Sequence, residues 1–488
     1  MVADPQPWAR REWLALAAVT ALAGALRIIG LANPAGFVFD EIFYARIACR
    51  FVIDTAQCGI DPLVSGAHPP LGNWLIGIGI RLFGYDEVGW RITSAVAGTL
   101  TVALLYVLVR RLLAGRDGGA ATVGALAAAA LLATDFLHLV QSRVAMLDSF
   151  VSFFVVLVVL FALLDGTRQR GPGGEDVAAP GWLRLISLGR PWRLATGLAL
   201  GCATAVKWSG GYVAVGLVVL LVAWEVAASA RERGRWWVAL RREWGPSVVL
   251  LGVVPVLVYL ATYIGRVDGS VLALPWREGS AWRAIAEHQV AMLRFHLGLA
   301  GDHPYESAPW TWLLDKRPVA YWFDASGGSY REVLAIGNPL TWWPGVAGLV
   351  IIAARWLRAG ASLARPEPLL IAAALGTYLP WVVLSGSRSQ VFIWYILPTI
   401  PFLYGAVGLL AAEAWHWVAG RIATGVAAVA VTASLVFFWP ILTAAPLSPS
   451  DWRAHMWFSN CVRPAAPTLK LPDDEINHGP PPTGWCWI

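Results

Sequence analysis

Charge is what this chain has least of. Asp, Glu, Lys and Arg make up only 14% of its 488 residues, about half the share expected of a soluble globular protein. With 57% hydrophobic residues and a mean hydropathy of +0.59, a soluble enzyme is excluded and an integral membrane protein is indicated. Other signals are missing too. No His/Cys spacing resembles a zinc site, no glycine-rich stretch has the P-loop pattern, and no nucleophile elbow is present. No metal and no cofactor are therefore expected. The chain also lacks an internal repeat, which counts against a transporter or lipid flippase built from inverted repeats around a midplane site. The pI near 9.2 does not call for nucleic acid, because much of the arginine excess lies in short loops between apolar runs.

What is present is apolar length. Runs able to cross about 30 Å of hydrocarbon fall near 12–31, 89–113, 119–138, 147–165, 193–208, 212–229, 247–265, 339–356, 368–385, 393–412 and 421–440, giving eleven expected spans. The 28 tryptophans suit long lipid–water perimeters, where the indole ring is favoured. The first run is long and has no small-residue cleavage site, so it reads as a retained helix and not as a signal peptide. Arginine sets the orientation. Clusters at Arg110, Arg111 and Arg116, at Arg168 and Arg170, over 231–242, and at Arg355, Arg358 and Arg365 fall in alternate loops, as the positive-inside rule requires for a cytoplasmic N-terminus. The expected organisation is a membrane domain over 1–440, with outer loops 32–88 and 266–339, a flexible cytoplasmic linker at 171–181, and an extracytoplasmic tail over 441–488. Within the first outer loop, one short helix starts at Asp40 and another covers 69–84, too short to cross the membrane.

The outer side collects the ionisable residues. Asp40 and Glu41 stand in "FVFDEIFYAR", His68 before "PPLGNW", Arg91 after Trp90, Arg143 and Asp148 in "SRVAMLDS", Lys207 in "VKWSG", His303 in "HPYESAPW" and Arg388 in "SGSRSQVF". Charges beside hydrocarbon mark a partner or a site. Acids faced by cations on one side suit a reaction that holds an anionic headgroup while a carboxylate deprotonates a neutral nucleophile. Simpler readings stand beside this one. Asp40 and Glu41 can cap the helix they begin, Arg143 and Asp148 can pair across a turn, Arg91 can anchor at the interface, Lys207 and Arg388 can snorkel to headgroups, and His68 can fix a loop. Of the five cysteines, Cys202 lies in a span, whereas Cys49 and Cys58 share the first outer loop and Cys461 and Cys486 share the tail. An oxidising compartment permits a bridge within each pair, with four free thiols as the alternative.

The ordered series "FDE", "HPPLGNW", "GWR", "SRVAMLDS", "VKWSG", "HPYESAPWTWLL" and "SRSQVFIWYILP" resembles the bacterial, actinobacterial-type protein O-mannosyltransferases, relatives of the eukaryotic dolichyl-phosphate-mannose-dependent enzymes. The resemblance implies an all-α, multispanning GT-C glycosyltransferase fold whose first outer loop carries the catalytic acid. It also implies a polyprenyl-phosphate mannose donor and Ser or Thr acceptors on polypeptides at the outer face of the cell membrane. Residue by residue, it places Asp40 and Glu41 at the acidic pair and Arg143 at the arginine facing the donor phosphate; from their own positions, Lys207 or Arg388 joins Arg143 as a candidate donor-phosphate-binding cation. Association with the protein translocation machinery is left open. Where the family often has lysine after "HPPLG", this chain has Asn73, so one cation is missing. The loop 266–339 is too short for the folded luminal domain of eukaryotic members, which fits the bacterial branch. A related reading with the same fold moves another lipid-linked sugar to a glycolipid or wall polymer.

Overall fold

The computed structural model describes residues 8–53, 58, 67–168, 190–233, 244–264, 281–299, 305–363, 365–386 and 390–457. His303, Arg388, Cys461, Cys486, Arg170 and the linker 171–181 lie outside them. Helices dominate because the sequence alternates long runs of Ala, Leu and Val with short Gly-, Pro- and Asp-containing interruptions. In chain order they are α1 (Arg10–Ile28), α2 (Glu41–Val52), α3 (Leu71–Phe83), α4 (Glu87–Leu112), α5 (Gly118–Ala133), α6 (Phe136–Arg143), α7 (Leu147–Arg168), α8 (Pro191–Val206) and α9 (Val213–Arg233). They continue with α10 (Trp244–Ala261), which includes a π-turn, then α11 (Ala281–Gly298), α12 (Pro339–Arg358), α13 (Glu367–Leu384), α14 (Ile400–Ala414), α15 (Val418–Leu442) and α16 (Pro449–Ala454).

Every one of the eleven apolar runs contains a helix. Among the described residues, six helices (α4, α7, α10, α12, α13 and α15) are long and apolar enough to cross a membrane, and α5 with α6 forms a seventh candidate bent by 58°. The chain is a multi-pass membrane protein. The bend has a local cause: Asp135 ends α5 and caps α6 through the His138 amide at 2.8 Å, while Trp342 donates to its other oxygen at 2.7 Å. Buried satisfaction of that carboxylate ties the bend to α12.

Packing is led by small residues. A Cβ at Gly124 in α5 would lie 2.5 Å from the Gly408 carbonyl in α14, so the two backbones meet as small-residue interfaces in membranes allow. Around them α4 packs on α1, α5 and α7, α7 on α8, α8 on α10, α12 on α14, and α9 on α13. As expected, α3 is short. It begins after Pro70 and packs on α2 and α4.

Among the described residues the departure from an all-α chain is a hairpin, β1 (Val319–Asp324) and β2 (Arg331–Ala335), paired antiparallel. Val319, Tyr321, Trp322 and Phe323 give β1 its strand character and Val333 contributes to β2, and Gly327 and Gly328 adopt the positive φ of 69° and 75° that the turn requires. A register irregularity between Ala320 and Trp322 leaves Tyr321 bulged. The start of the tail is docked, not free: Tyr330 bridges Leu447, and Trp452 of α16 donates to Glu332 at 2.8 Å. Between α1 and α3, Cys49 and Cys58 form a disulfide, and Cys202 is a free thiol.

Candidate active site

The chain enters the site through strained backbone. Phe39 has φ +51°, which a bulky residue rarely adopts. It is held by stacking on Tyr321 at 4.4 Å and by edge contact with Trp394 at 5.3 Å. Strain of this kind is kept only where surrounding contacts enforce it. Its effect is to set Asp40 and Glu41 in opposite roles at the start of α2.

Glu41 points inward and is fully buried. Its carboxylate accepts from Arg91 Nε and Nη2 at 2.8 Å each and from the amides of Val38 and Ala145, also at 2.8 Å. Arg91 completes its own set by donating to the carbonyls of Leu31, Pro34 and Gly36 at 2.8 to 3.1 Å. The pair therefore pins the α1–α2 loop to α4 and to the α6–α7 turn. Arg91, read from sequence as an interfacial anchor, instead lies entirely inside the protein, because the loop carbonyls and Glu41 replace water around its guanidinium.

Asp40 occupies the N-cap position of α2, yet its side chain makes no capping bond. It is half-buried and receives a long hydrogen bond from the Tyr44 hydroxyl, 3.4 Å from Oδ2. Burial pushes its carboxyl up to about 6, the nearby Lys207 cation pulls it down, Asp148 pushes it up again, and the Tyr44 hydroxyl lowers it slightly. A carboxylate with a raised pKa and an accessible oxygen fits a general base, whereas Glu41, saturated by donors, does not.

Asp148 and Lys207 close the other side. Lys207 follows the last turn of α8 and donates to both Asp148 oxygens at 3.1 and 2.9 Å, with its ammonium 4.6 Å from the centre of the Tyr395 ring. The pairing of Asp148 with Arg143, an open reading from sequence, is not formed. Arg143 instead donates to the carbonyls of Leu26, Arg27, Ile29 and Gly30 at 2.8 to 3.1 Å, so its charge sits on the C-terminal end of α1, where a cation is favoured. His68 lies against Tyr44, with ring centres 6.0 Å apart, and against His296 of α11 at 5.5 Å. The structure thus brings Asp40, Asp148 and Lys207 together, with His68 beyond them against Tyr44, uses Glu41 and Arg91 beneath, and places Arg143 on the frame.

Three contributors escape a sequence reading. Tyr44 lies one helical turn after Asp40, a spacing that could have flagged it. Tyr395 stands inside the quoted "VFIWYILP" stretch. Tyr321, whose hydroxyl accepts from Gln141 Nε2 at 2.5 Å, arrives through the hairpin and carries no local signal.

Two family models cover this chain. Residues 17–267 match dolichyl-phosphate-mannose-protein mannosyltransferase, and residues 281–461 match the C-terminal four TMM region of protein-O-mannosyltransferase. The chain belongs to the protein O-mannosyltransferase family. It is 34% identical, over 93% of both chains, to the polyprenol-phosphate-mannose--protein mannosyltransferase of Mycobacterium tuberculosis strain ATCC 25618 / H37Rv. It is 29% identical to the protein of that name from Corynebacterium glutamicum, over 84% of both chains. Among solved structures, the S. cerevisiae protein O-mannosyltransferase Pmt1-Pmt2 complex bound to the sugar donor is similar, with a TM-score of 0.69 at 16% identity over 93% of each chain. ArnT from Cupriavidus metallidurans bound to undecaprenyl phosphate has a TM-score of 0.50 at 20% identity, over 83% of this chain and 60% of that one. At those identities the two structures establish a shared GT-C fold for this O-mannosyltransferase family member. The "FDE" pair therefore lies within the first family-matched segment, and "SRSQVFIWYILP" within the second.

Proposed function

We propose that this protein transfers mannose from polyprenyl-phosphate mannose to Ser or Thr hydroxyls of polypeptides, with inversion, at the outer face of the plasma membrane. The observation that carries the reading is Asp40: an ionisable oxygen left free of capping, beside a buried lysine, on a loop braced by Glu41 and Arg91. The donor's prenyl tail lies in the bilayer and its sugar at the surface, where this loop meets it. Asp40 accepts the hydroxyl proton as the acceptor oxygen bonds to the anomeric carbon from the face opposite the phosphate. The carbon–oxygen bond to phosphate breaks in the same step, and polyprenyl phosphate leaves with the electron pair. A phosphate is a good leaving group, so Lys207 need only neutralise its growing charge. Because Arg143 is engaged with the α1 carbonyls, we assign it to holding α1 and the loop in place. Arg388 and His303 keep their sequence-based candidacy as outer-loop contacts.

Membranes of an expressing cell, radiolabelled polyprenyl-phosphate mannose and a Ser/Thr-rich peptide test the reading. Label on the peptide is expected, whereas label only on lipid or wall polymer replaces the acceptor class.

The pH profile tests Asp40 and Lys207 together. Transfer requires the carboxylate, so the rate is full above the Asp40 pKa and falls as pH drops through about 6. Lys207→Gln removes the cation that pulls this value down. Its acidic limb is expected to move to higher pH while turnover falls at every pH. An unmoved limb would show that Lys207 does not act on Asp40.

Orientation has a separate readout. With a cytoplasmic N-terminus, reporter fusions near residues 175 and 470 fall in opposite compartments. The same compartment for both would remove the outer placement of the site.

A further inference from the structure

The arginine-rich end of the bundle holds a second concave site. α4 runs from Arg91, against Glu41, to Leu112, about 32 Å away at 1.5 Å per residue. There a cavity of about 510 Å³ opens between the α4–α5 turn, the end of α12, the start of α13 and the end of α14. Its walls include Leu112, Ile352 and Leu409, all buried. Its mouth carries Arg116, Arg355 and Arg365 from three separate segments.

The charges there do not balance. Glu413 is shared by Arg116 at 3.1 Å and Arg355 at 2.6 Å, and Glu367 pairs with Arg365 at 2.6 Å. Three guanidiniums thus face two carboxylates, and each arginine side chain keeps 40% or more of its surface exposed. The two pairs on Glu413 are solvent-exposed, and exposed pairs of this kind contribute little. Leu357 on α12 and Trp417 and Val418 before and on α15 are strongly exposed near the same ends, as residues facing acyl chains and headgroups are. A site with an apolar wall, a cationic mouth and a lipid-facing surround suits a ligand that is both anionic and acylated.

We infer that this cavity binds the phosphodiester headgroup of an anionic phospholipid, with the arginines on the phosphate and an acyl chain along Leu112, Ile352 and Leu409. The site is independent of the transfer reaction. Arginine matches phosphate oxygens by paired hydrogen bonds, and basic pockets between spans take anionic lipids in this way.

The test is lipid retention by the purified full-length protein in detergent, read by native mass spectrometry with added phosphatidylglycerol or zwitterionic phosphatidylcholine. Preferential retention of phosphatidylglycerol is expected, weakened about fivefold for each arginine in Arg116→Gln and Arg355→Gln. Glu413→Gln frees two guanidiniums and is expected to strengthen retention. An unchanged unfolding midpoint checks that each variant folds. A variant with a lowered midpoint is replaced by its lysine counterpart, Arg116→Lys or Arg355→Lys, which is expected to keep the charge preference. Equal retention of the two lipids, or folded glutamine variants indistinguishable from the parent, overturns the inference. Displacement of phosphatidylglycerol by millimolar inorganic phosphate overturns it too, since the site would then serve a soluble anion.

Discussion

Asp40→Asn is expected to lower mannosyl transfer to a Ser/Thr peptide by at least about a hundredfold, the lower end of the loss when a general base is removed, while donor lipid still binds. The substitution separates two roles. Asparagine caps helices about as well as aspartate, and Asp40 makes no capping bond here, so folding is left intact whichever role it has. The Tyr44 hydroxyl keeps an oxygen to donate to, and the Lys207–Asp148 pair is untouched. Only the ability to take a proton is lost. Donor binding and turnover measured on the same preparation give the answer. Near-normal transfer by the variant would remove Asp40 as the base and direct attention to Asp148, because Glu41 has no oxygen left for a substrate proton.

The residues that carry this reading differ in how visible they are before folding. Asp40, Asp148 and Lys207 are legible because each interrupts an apolar run near its end, where an unpaired charge is costly and must have a purpose. The helices are legible for the same reason, since apolar length is a strong and local signal. Partner choice is a different matter. Sequence places Arg91 and Arg143 at the correct end of their helices but not against the carbonyls they bind, because those carbonyls come from the end of α1 and a loop whose path depends on the whole bundle. Hence Asp148 finds Lys207 from α8 and not its neighbour Arg143. The hairpin is hidden for a further reason. Its strands are only six and five residues long within a chain of apolar helices, and Tyr321 reaches the site only through a bulge. The charged ends of α12 and α14 are legible as topology signals, while their convergence on a cavity is not.

Breaking the brace beneath the site should have the largest effect on stability. Removing one member of a buried, hydrogen-bonded ion pair leaves the other charge uncompensated and costs about 3–5 kcal/mol. Arg91→Ala leaves the Glu41 carboxylate without its two guanidinium bonds, and Glu41→Ala leaves Arg91 with three carbonyls but no counter-charge. Each single variant is expected to lower the unfolding midpoint sharply and to loosen the loop that carries Asp40. The Glu41→Leu/Arg91→Leu double variant should be destabilised by less than the sum of the two single leucine changes, since no unpaired charge remains. Glu41→Gln is the informative conservative change. Its amide nitrogen must face Arg91 or the amide of Val38 or Ala145, all of them donors, so stability should fall along with turnover. A Glu41→Gln protein with the parent's unfolding midpoint and no transfer would make Glu41 a catalytic group. A parallel loss of both is what a positioning residue produces, because Asp40 can present its oxygen to the acceptor hydroxyl only while Glu41 and Arg91 hold the start of α2 against α4.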